Sequence, residues 1–340
     1  MMTHPRPTPH SLTLHTRVER FATRGAFAIA RGAVTEVEVV TVTLSDGVHS
    51  GRGECRPYAR YGESADSVRA LVADHAETVC AAGDILAAAR ALPPGAAANA
   101  VESACVDLLC KRRGMRAWEL LGCAAPVPRV TAFTLSVGAP ESMAAKAREA
   151  ARYPLLKVKI EGVKIGGAAA LEQVAAVAEA RPSARLIIDA NESLDATALA
   201  RLLDTAPPNT VLIEQPLPAG HADALPCMYG PPVCADESLH TVDDLAALWA
   251  AGYRAVNVKL DKAGGPVRGL ELIRAAKARG FTVMAGCMVG SSLAMAPMVA
   301  ISMEADVLDL DGPLLLGEDR EEALAYDGEK VGVPTAELWG

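Results

Sequence analysis

The feature that most constrains this chain is a series of eight short apolar runs after Pro126, nearly every one ending in an ionisable or polar side chain. The runs are residues 130–135, 155–160, 185–189, 211–214, 233–235, 255–260, 281–286 and 306–310, and Ala-rich stretches separate them. Short hydrophobic strands alternating with helices read as parallel βα units, which need both faces of the sheet covered. Eight strands in about 180 residues suit an α/β barrel, although periodicity alone also fits an open doubly wound sheet. The polar residues favour the barrel. Thr134, Lys157, Lys159, Asp189, Asn191, Glu214, Asp236, Lys259, Cys287, Asp309 and Asp311 all fall at strand ends, and the C-terminal strand ends of a barrel converge on one mouth.

The first 120 or so residues read differently. Residues 34–44 (VTEVEVVTVTL) alternate and are rich in β-branched side chains, Ser45-Asp46-Gly47 supplies a turn, and residues 48–54 resume an extended run, so a β-hairpin is expected. Residues 64–82 and 96–113 carry apolar positions at helical spacing, with Pro93-Pro94-Gly95 between them. This region is therefore α+β. Residues 1–11, rich in Pro and His, have neither the apolar core nor the small-residue cleavage site of a signal peptide and are expected to be a disordered leader.

Composition limits the partners. The net charge of −8 is spread among interspersed signs with no basic block, which argues against nucleic acid and for a small-molecule ligand. No apolar run approaches the roughly 18 residues that a bilayer span needs, so no membrane association is expected. The eight cysteines form no CxxC pair and have no companion histidine spacing, so they read as small buried hydrophobes in a reducing cytoplasm. A homo-oligomer is compatible with all of this.

Three carboxylates on successive strand ends, Asp189, Glu214 and Asp236, would meet in a space too small for three unpaired charges, so a cation is implied. All-oxygen ligation by three protein groups points to one Mg²⁺ ion, which keeps positions open for water or substrate. The plain alternative is helix capping, as Asp236-Glu237-Ser238 could provide, but capping does not explain acids set directly after Ile188 and Ile213 on apolar strands. Lys157 and Lys159 share one strand face by the period-two rule, and Lys259 arrives from four strands further round. A lysine titrates near 10.4 and must be lowered to act as a base at neutral pH, which a second lysine and a divalent ion would do. Otherwise each lysine would snorkel or pair with an acid. A metal on a substrate carboxylate stabilises the enolate left when an α-proton departs, and amines on opposite faces then permit inversion.

The runs Lys157-Val-Lys159, Asp189-Ala-Asn191-Glu192, Glu214-Gln-Pro216, Ala235-Asp236-Glu237-Ser238 and Asn257-Val-Lys259-Leu-Asp-Lys262-Ala-Gly-Gly265 together resemble the muconate-lactonizing subgroup of the enolase superfamily. Within it the chain is similar to the dipeptide epimerases that act on L-Ala-D/L-Glu, with further signs in Ile29-Ala-Arg31-Gly32, in residues 53–64, in Gly286-Cys287-Met288 and in Asp309-Leu-Asp311-Gly-Pro313. The likeness covers roughly residues 12–320. It implies a (β/α)7β TIM-like barrel over residues 126–318, an N-terminal α+β capping domain over 12–125, and a segment 319–340 returning to the cap. It also implies Asp189, Glu214 and Asp236 as Mg²⁺ ligands, with Lys159 serving the R-substrate and Lys259 the S-substrate. Lys157 would support the substrate carboxylate or its metal, Asp309 and Asp311 would hold the dipeptide ammonium, and Thr134 and Cys287 would contact substrate. Arg31 would reach from a mobile cap loop at residues 25–32 toward the glutamate side chain, and Asn191 and Glu237 would support the site. The one departure is Leu194, where the family commonly has tryptophan.

Three alternatives stay open at this point. An N-acylamino-acid racemase or an o-succinylbenzoate synthase of the same superfamily would use the same lysines and metal, although an acylated substrate offers no ammonium to Asp309 and Asp311. A Schiff-base aldolase would use one lysine covalently. A barrel retained only for binding would be expected to lack a lysine or a metal acid, and none is missing.

Overall fold

The computed structural model describes residues 12–29, 32–162, 167–220, 225 and 230–340, and the structural statements below concern those residues. Arg31 lies outside them, as does the leader at 1–11.

Three antiparallel strands open the fold: β1 (Thr13–Ile29), β2 (Gly32–Ser45) and β3 (Ser50–Cys55). The expected hairpin is β2–β3. β1 was not anticipated, because its side chains alternate between half-buried and exposed and include Arg17, Glu19 and Arg20. Of residues 25–32, expected as a loop, Phe27 to Ile29 and Gly32 continue the ladder: Ile29 pairs with Gly32, after an irregularity between Ala22 and Phe27.

Helices α1 (Ala65–Ala81), α2 (Ile85–Ala89) and α3 (Ala96–Arg113) cover the sheet. Ser64 starts α1 with a reciprocal cap, its hydroxyl accepting from Ser67 N–H at 3.1 Å while Ser67 Oγ accepts from Ser64 N–H at 2.9 Å. The α3 face against the sheet is built from small residues such as Ala100 and Ala104, and β3 meets it with Gly51 and Gly53. A Cβ on either glycine would lie 2.1 Å from a helix carbonyl, so only glycine permits this approach. A short helix α4 (Ala117–Leu120) then leads to β4 (Arg129–Val130).

Eight parallel strands follow in unbroken order: β5 (Phe133–Leu135), β6 (Leu155–Lys159), β7 (Arg185–Asp189), β8 (Thr210–Glu214), β9 (Val233–Ala235), β10 (Ala255–Val258), β11 (Thr282–Gly286) and β12 (Val307–Asp309). The intervening helices are α5 (Pro140–Glu149), α6 (Gly167–Ala180), α7 (Ala196–Thr205), α8 (Asp244–Ala250), α9 (Leu260–Ala263), α10 (Pro266–Ala278) and α11 (Ser292–Ile301). The two ends of the series are bridged where Ala132 N–H donates to Leu308 C=O at 2.9 Å and Leu310 N–H to Thr131 Oγ1 at 2.7 Å. The barrel expected from the strand ends is thus present. The expected strand at 130–135 is split, because Thr131 and Ala132 turn to this closure while Arg129 and Val130 pair with β14 (Lys330–Val331), itself paired with β13 (Tyr326–Asp327). β10 stops at Val258, two residues earlier than expected, since Lys259 already caps α9.

Period-two alternation sorts the barrel side chains into layers. Leu156, Ile188, Ile213 and Leu308 join the large core against the helices. Leu155, Ile187, Leu212, Ala255, Met284 and Val307 point the other way and fill the bottom of the barrel as a separate apolar cluster. Two residues further along each strand that inward direction meets Lys157, Asp189, Glu214, Asn257, Gly286 and Asp309, so the polar layer rests on a dry plug.

Candidate active site

The polar layer opens into a cavity of about 300 Å³ at the C-terminal mouth of the barrel. Thr134, Lys157, Lys159, Asn191, Asp236, Glu237, Lys259, Cys287, Asp309 and Asp311 all line it, which brings together residues spread over 178 positions of sequence between Thr134 and Asp311. Asp189 and Glu214 lie fully buried beneath, within reach of the same lysines.

The lysines and acids form one ion-pair network. Lys157 Nζ stands 2.6 Å from Asp309 Oδ2, 2.8 Å from Glu214 Oε2 and 3.1 Å from Asp189 Oδ2. Lys159 Nζ donates to Asp189 Oδ2 at 2.6 Å and to Asn191 Oδ1 at 3.0 Å. On the other side Lys259 Nζ donates to Asp236 Oδ2 at 2.7 Å, and Lys262, a residue to which the sequence assigned no role, donates to Asp236 Oδ1 at 2.6 Å. Lys159 ends β6 and Lys259 directly follows β10, strands four places apart in the order, so the two ammonium groups enter from opposite sides.

Neutral groups orient the acids. Asn257 Nδ2 donates to Glu214 Oε1 at 2.7 Å. Gln215 Oε1 accepts from the N–H groups of Asp236 and Ser238 at 2.9 and 3.1 Å, which is what the glutamine of Glu214-Gln-Pro216 does here. Thr134 N–H donates to Asp311 Oδ2 at 2.6 Å, and Asn191 Nδ2 to Glu237 Oε1 at 3.4 Å.

Burial would neutralise Asp189, but Lys159 and Lys157 outweigh it and hold the carboxyl well below its ordinary range. Asp236 is likewise buried and held low by Lys259 and Lys262. Glu214 goes the other way: burial and the charge of Asp189 push it up to about 8, despite Lys157. Asp311 is pushed up to about 7 by burial and Asp309. Burial favours a neutral Lys259, yet Asp236 outweighs it and keeps the ammonium well above the ordinary range, and Lys157 is raised in the same way by Asp309, Glu214 and Asp189. With the protein's own charges alone the acids dominate at Lys157 and Lys259, whereas the expected lowering of a lysine rested on a second lysine together with a bound divalent ion. The Cys287 thiol is pushed up by burial and by Asp309 and Asp311, so it stays protonated.

Six acids, Asp189, Glu214, Asp236, Glu237, Asp309 and Asp311, face the four ammonium groups of Lys157, Lys159, Lys259 and Lys262, and burial with neighbouring carboxylates raises two of the acids, Glu214 and Asp311. Asp309 Oδ1 is buried without a hydrogen bond. Among the described residues no three acid, Cys or His side chains converge as around a bound cation, because ammonium groups stand between them. A hard divalent ion still fits this donor set. Its ligands would all be carboxylate oxygens, and its charge would favour the ionised form of Glu214.

Sequence reasoning assigned no role to the upper wall, formed by Arg56, Tyr58, Tyr61, Met288, Val289 and Leu315. Its signal was the run Arg56-Pro-Tyr-Ala-Arg-Tyr61 directly after β3, two tyrosines and two arginines on a connection. Tyr61 packs edge-on against His240 at 4.9 Å, and Arg60 forks onto Glu192 at 3.0 and 2.8 Å, tying this connection to the loop after β7.

Residues 141–336 match the enolase C-terminal domain-like family, and residues 11–122 match the N-terminal domain of the mandelate racemase/muconate lactonizing enzymes. The L-Ala-D/L-Glu epimerase of Escherichia coli K12 is 40% identical over 304 residues, spanning 88% of this chain and 93% of the relative. The N-acetyl-D-glutamate racemase of a Pseudoalteromonas species is 37% identical over 308 residues, spanning 89% and 95%. Among solved structures, an enolase family member from Agrobacterium tumefaciens with homology to dipeptide epimerases, bound to sodium and L-Ala-L-Glu, superposes with a TM-score of 0.90 at 44% identity, covering 97% of this chain and all of the other.

Proposed function

This chain belongs to the enolase superfamily, in its mandelate racemase/muconate lactonizing group, and from that premise we propose that it is a dipeptide epimerase that inverts the α-carbon of the second residue of L-Ala-D/L-Glu-type dipeptides. The observation that carries the reading is the pair Lys159 and Lys259, which enter one cavity from opposite sides beside three buried carboxylates. Proton abstraction on one face and delivery on the other is what inversion requires.

In the R-epimer the α-proton faces Lys159, whose neutral Nζ takes it, and the Lys259 ammonium returns a proton to the opposite face; the S-epimer exchanges the roles. Asp189, Glu214 and Asp236 would hold one Mg²⁺. When bound it supplies counter-charge to the substrate carboxylate as negative charge develops. Lys157, held by Asp309 and Glu214, keeps a fixed positive charge beside that carboxylate. Asp309 and Asp311 would receive the dipeptide ammonium, a cation that relieves the repulsion between them. Thr134 and Cys287 would bound the substrate, with Asn191 and Glu237 supporting Lys159. The substrate class suits turnover of murein peptides in the cytoplasm.

The N-acetyl-D-glutamate racemase likeness favours a second reading, racemisation of an N-acylated amino acid. One experiment tests both: proton NMR in D₂O with each dipeptide epimer and with N-acetylglutamate, on wild type and on Lys159→Ala and Lys259→Ala. The expected result is exchange and inversion of the free dipeptide by wild type. Neither variant should interconvert epimers, yet Lys259→Ala should still exchange the R-epimer and Lys159→Ala the S-epimer. A variant that still inverts at near wild-type rate removes its lysine from the mechanism, and preference for N-acetylglutamate favours the second reading.

A further inference from the structure

Arg56 follows β3 and stands in the upper wall of the catalytic cavity. Its backbone is fixed, since its N–H donates to Asp261 Oδ1 at 3.3 Å. Its guanidinium has five donors, of which one is used: Nη1 reaches Val289 C=O at a long 3.5 Å, and the Tyr58 ring centre lies 6.0 Å away. Among the described residues it makes no ion pair.

Two other part-buried arginines, Arg320 and Arg181, spend their donors on fixed partners. Arg320 bonds Glu19, Glu54, Thr41 and Ser291, and Arg181 donates to the carbonyls of Ala147, Ala150 and Tyr153 at 3.0, 2.6 and 2.9 Å. Those arginines hold structure together. Arg56 is a desolvated cation with unused donors turned to a cavity, an arrangement that is costly unless an anion completes it. A dipeptide of the proposed class has three charged groups. The α-carboxylate goes to the acid-and-lysine floor and the ammonium to Asp309 and Asp311, so the side-chain carboxylate would face the upper wall, where Arg56 is the cation among the described lining residues.

We infer that Arg56 binds the side-chain carboxylate of the residue being epimerised and so selects acidic over neutral dipeptides, an inference that rests on the epimerase reading. It is separable from any contribution of Arg31, because the two can be replaced independently.

The test compares kcat/KM for L-Ala-L-Glu and L-Ala-L-Gln, read by α-proton exchange, in wild type and Arg56→Met. Wild type should prefer the glutamate dipeptide. Arg56→Met should lose on the order of 10- to 100-fold on it while the glutamine dipeptide changes by less than about threefold, a loss of one charge-assisted contact. Retained turnover of the glutamine dipeptide shows that the variant folds. An unchanged Glu-to-Gln ratio, or an equal loss on both, overturns the assignment. A wild type that exchanges both dipeptides equally overturns it while leaving the epimerase reading intact; a wild type that exchanges neither overturns both.

Discussion

Asn257 carries no charge, yet it decides how Glu214 is presented. Its amide holds Oε1 at 2.7 Å, and the neighbouring strand leaves room only because residue 286 is glycine, where a Cβ would come within 2.3 Å of Asn257 Oδ1. An acid pushed up to about 8 is poorly suited to ionise alone, so its fixed orientation matters more to cation binding than its intrinsic affinity for protons. Asn257→Ala is expected to weaken Mg²⁺ by about 10- to 100-fold, the usual effect of removing a group that orients a ligand. Titration calorimetry of Mg²⁺ into chelator-treated protein reads this, and chelation should stop α-proton exchange in wild type until Mg²⁺ is restored. Equal affinity in the variant would deny Asn257 this role. The backbone beside the acids is also unusual: Asn191, Glu192 and Gln215 have φ of 42°, 68° and 30°. Such left-handed residues cost roughly 1–3 kcal/mol each. Here side-chain bonds hold them, Arg60 and Ala219 N–H gripping Glu192, and Gln215 bonding Asp236 N–H and Ser238.

Between elements, one arginine joins the N-terminal sheet to the barrel. Arg320 Nη2 lies 2.6 Å from Glu54 on β3, 2.9 Å from Glu19 on β1 and 3.1 Å from Thr41 on β2, while Glu54 Oε1 accepts from Ser291 N–H at the start of α11 at 2.8 Å. Glu54 is fully buried. Arg320→Met strands that carboxylate and should cost about 3 kcal/mol, the lower end for breaking a buried pair because Arg320 and Glu19 keep some contact with water. Chemical denaturation measures it. The double variant Arg320→Met, Glu54→Gln should lose less than the sum of the two singles, since no buried charge is then left unpaired; strict additivity would show that the cluster does not act as a unit. The C-terminal segment adds a second joint, with Trp339 Nε1 donating to Ser103 C=O at 3.2 Å and Gly340 N–H to Asp107 at 2.8 Å, both on α3.

For the molecule as a whole, the interface between α3 and the barrel couples stability to pH. Glu102 on α3 accepts from Val267 N–H at 2.7 Å, and Asp261 in α9 accepts from Asn99 Nδ2 on α3 at 2.8 Å. Burial pushes both carboxyls up to about 7, from ordinary values of 4.5 and 3.8. Over that interval the folded chain keeps protons the unfolded chain has released, so their stabilising contribution is complete below the ordinary values and is lost as pH rises through about 7. Glu102→Gln keeps the acceptor for Val267 and removes one titration. The fall in melting temperature from pH 5 to pH 8 should therefore shrink by roughly 2–4 °C relative to wild type. Identical pH slopes in the two proteins would show that Glu102 titrates normally.

Alternation and strand-end chemistry are local properties, which is why the eight barrel strands, the facing of Lys157 and Lys159, the three acids at successive ends, and the helices at 65–81 and 96–113 were legible along the chain. A side chain's face follows from its parity along the strand, whatever lies around it. Relations that cross elements emerged only with the folded chain. β1 has too little buried surface to announce itself, and its existence depends on pairing with β2. The split after Val130 follows from barrel closure onto Leu308. The raised values of Lys157 and Lys259 depend on how many carboxylates each ammonium meets, and Arg56 became a candidate only when its unused donors could be set against the filled ones of Arg181 and Arg320. Charges act through space and hydrogen bonds are counted in space, so neither can be summed from a string of residues until the fold fixes the distances.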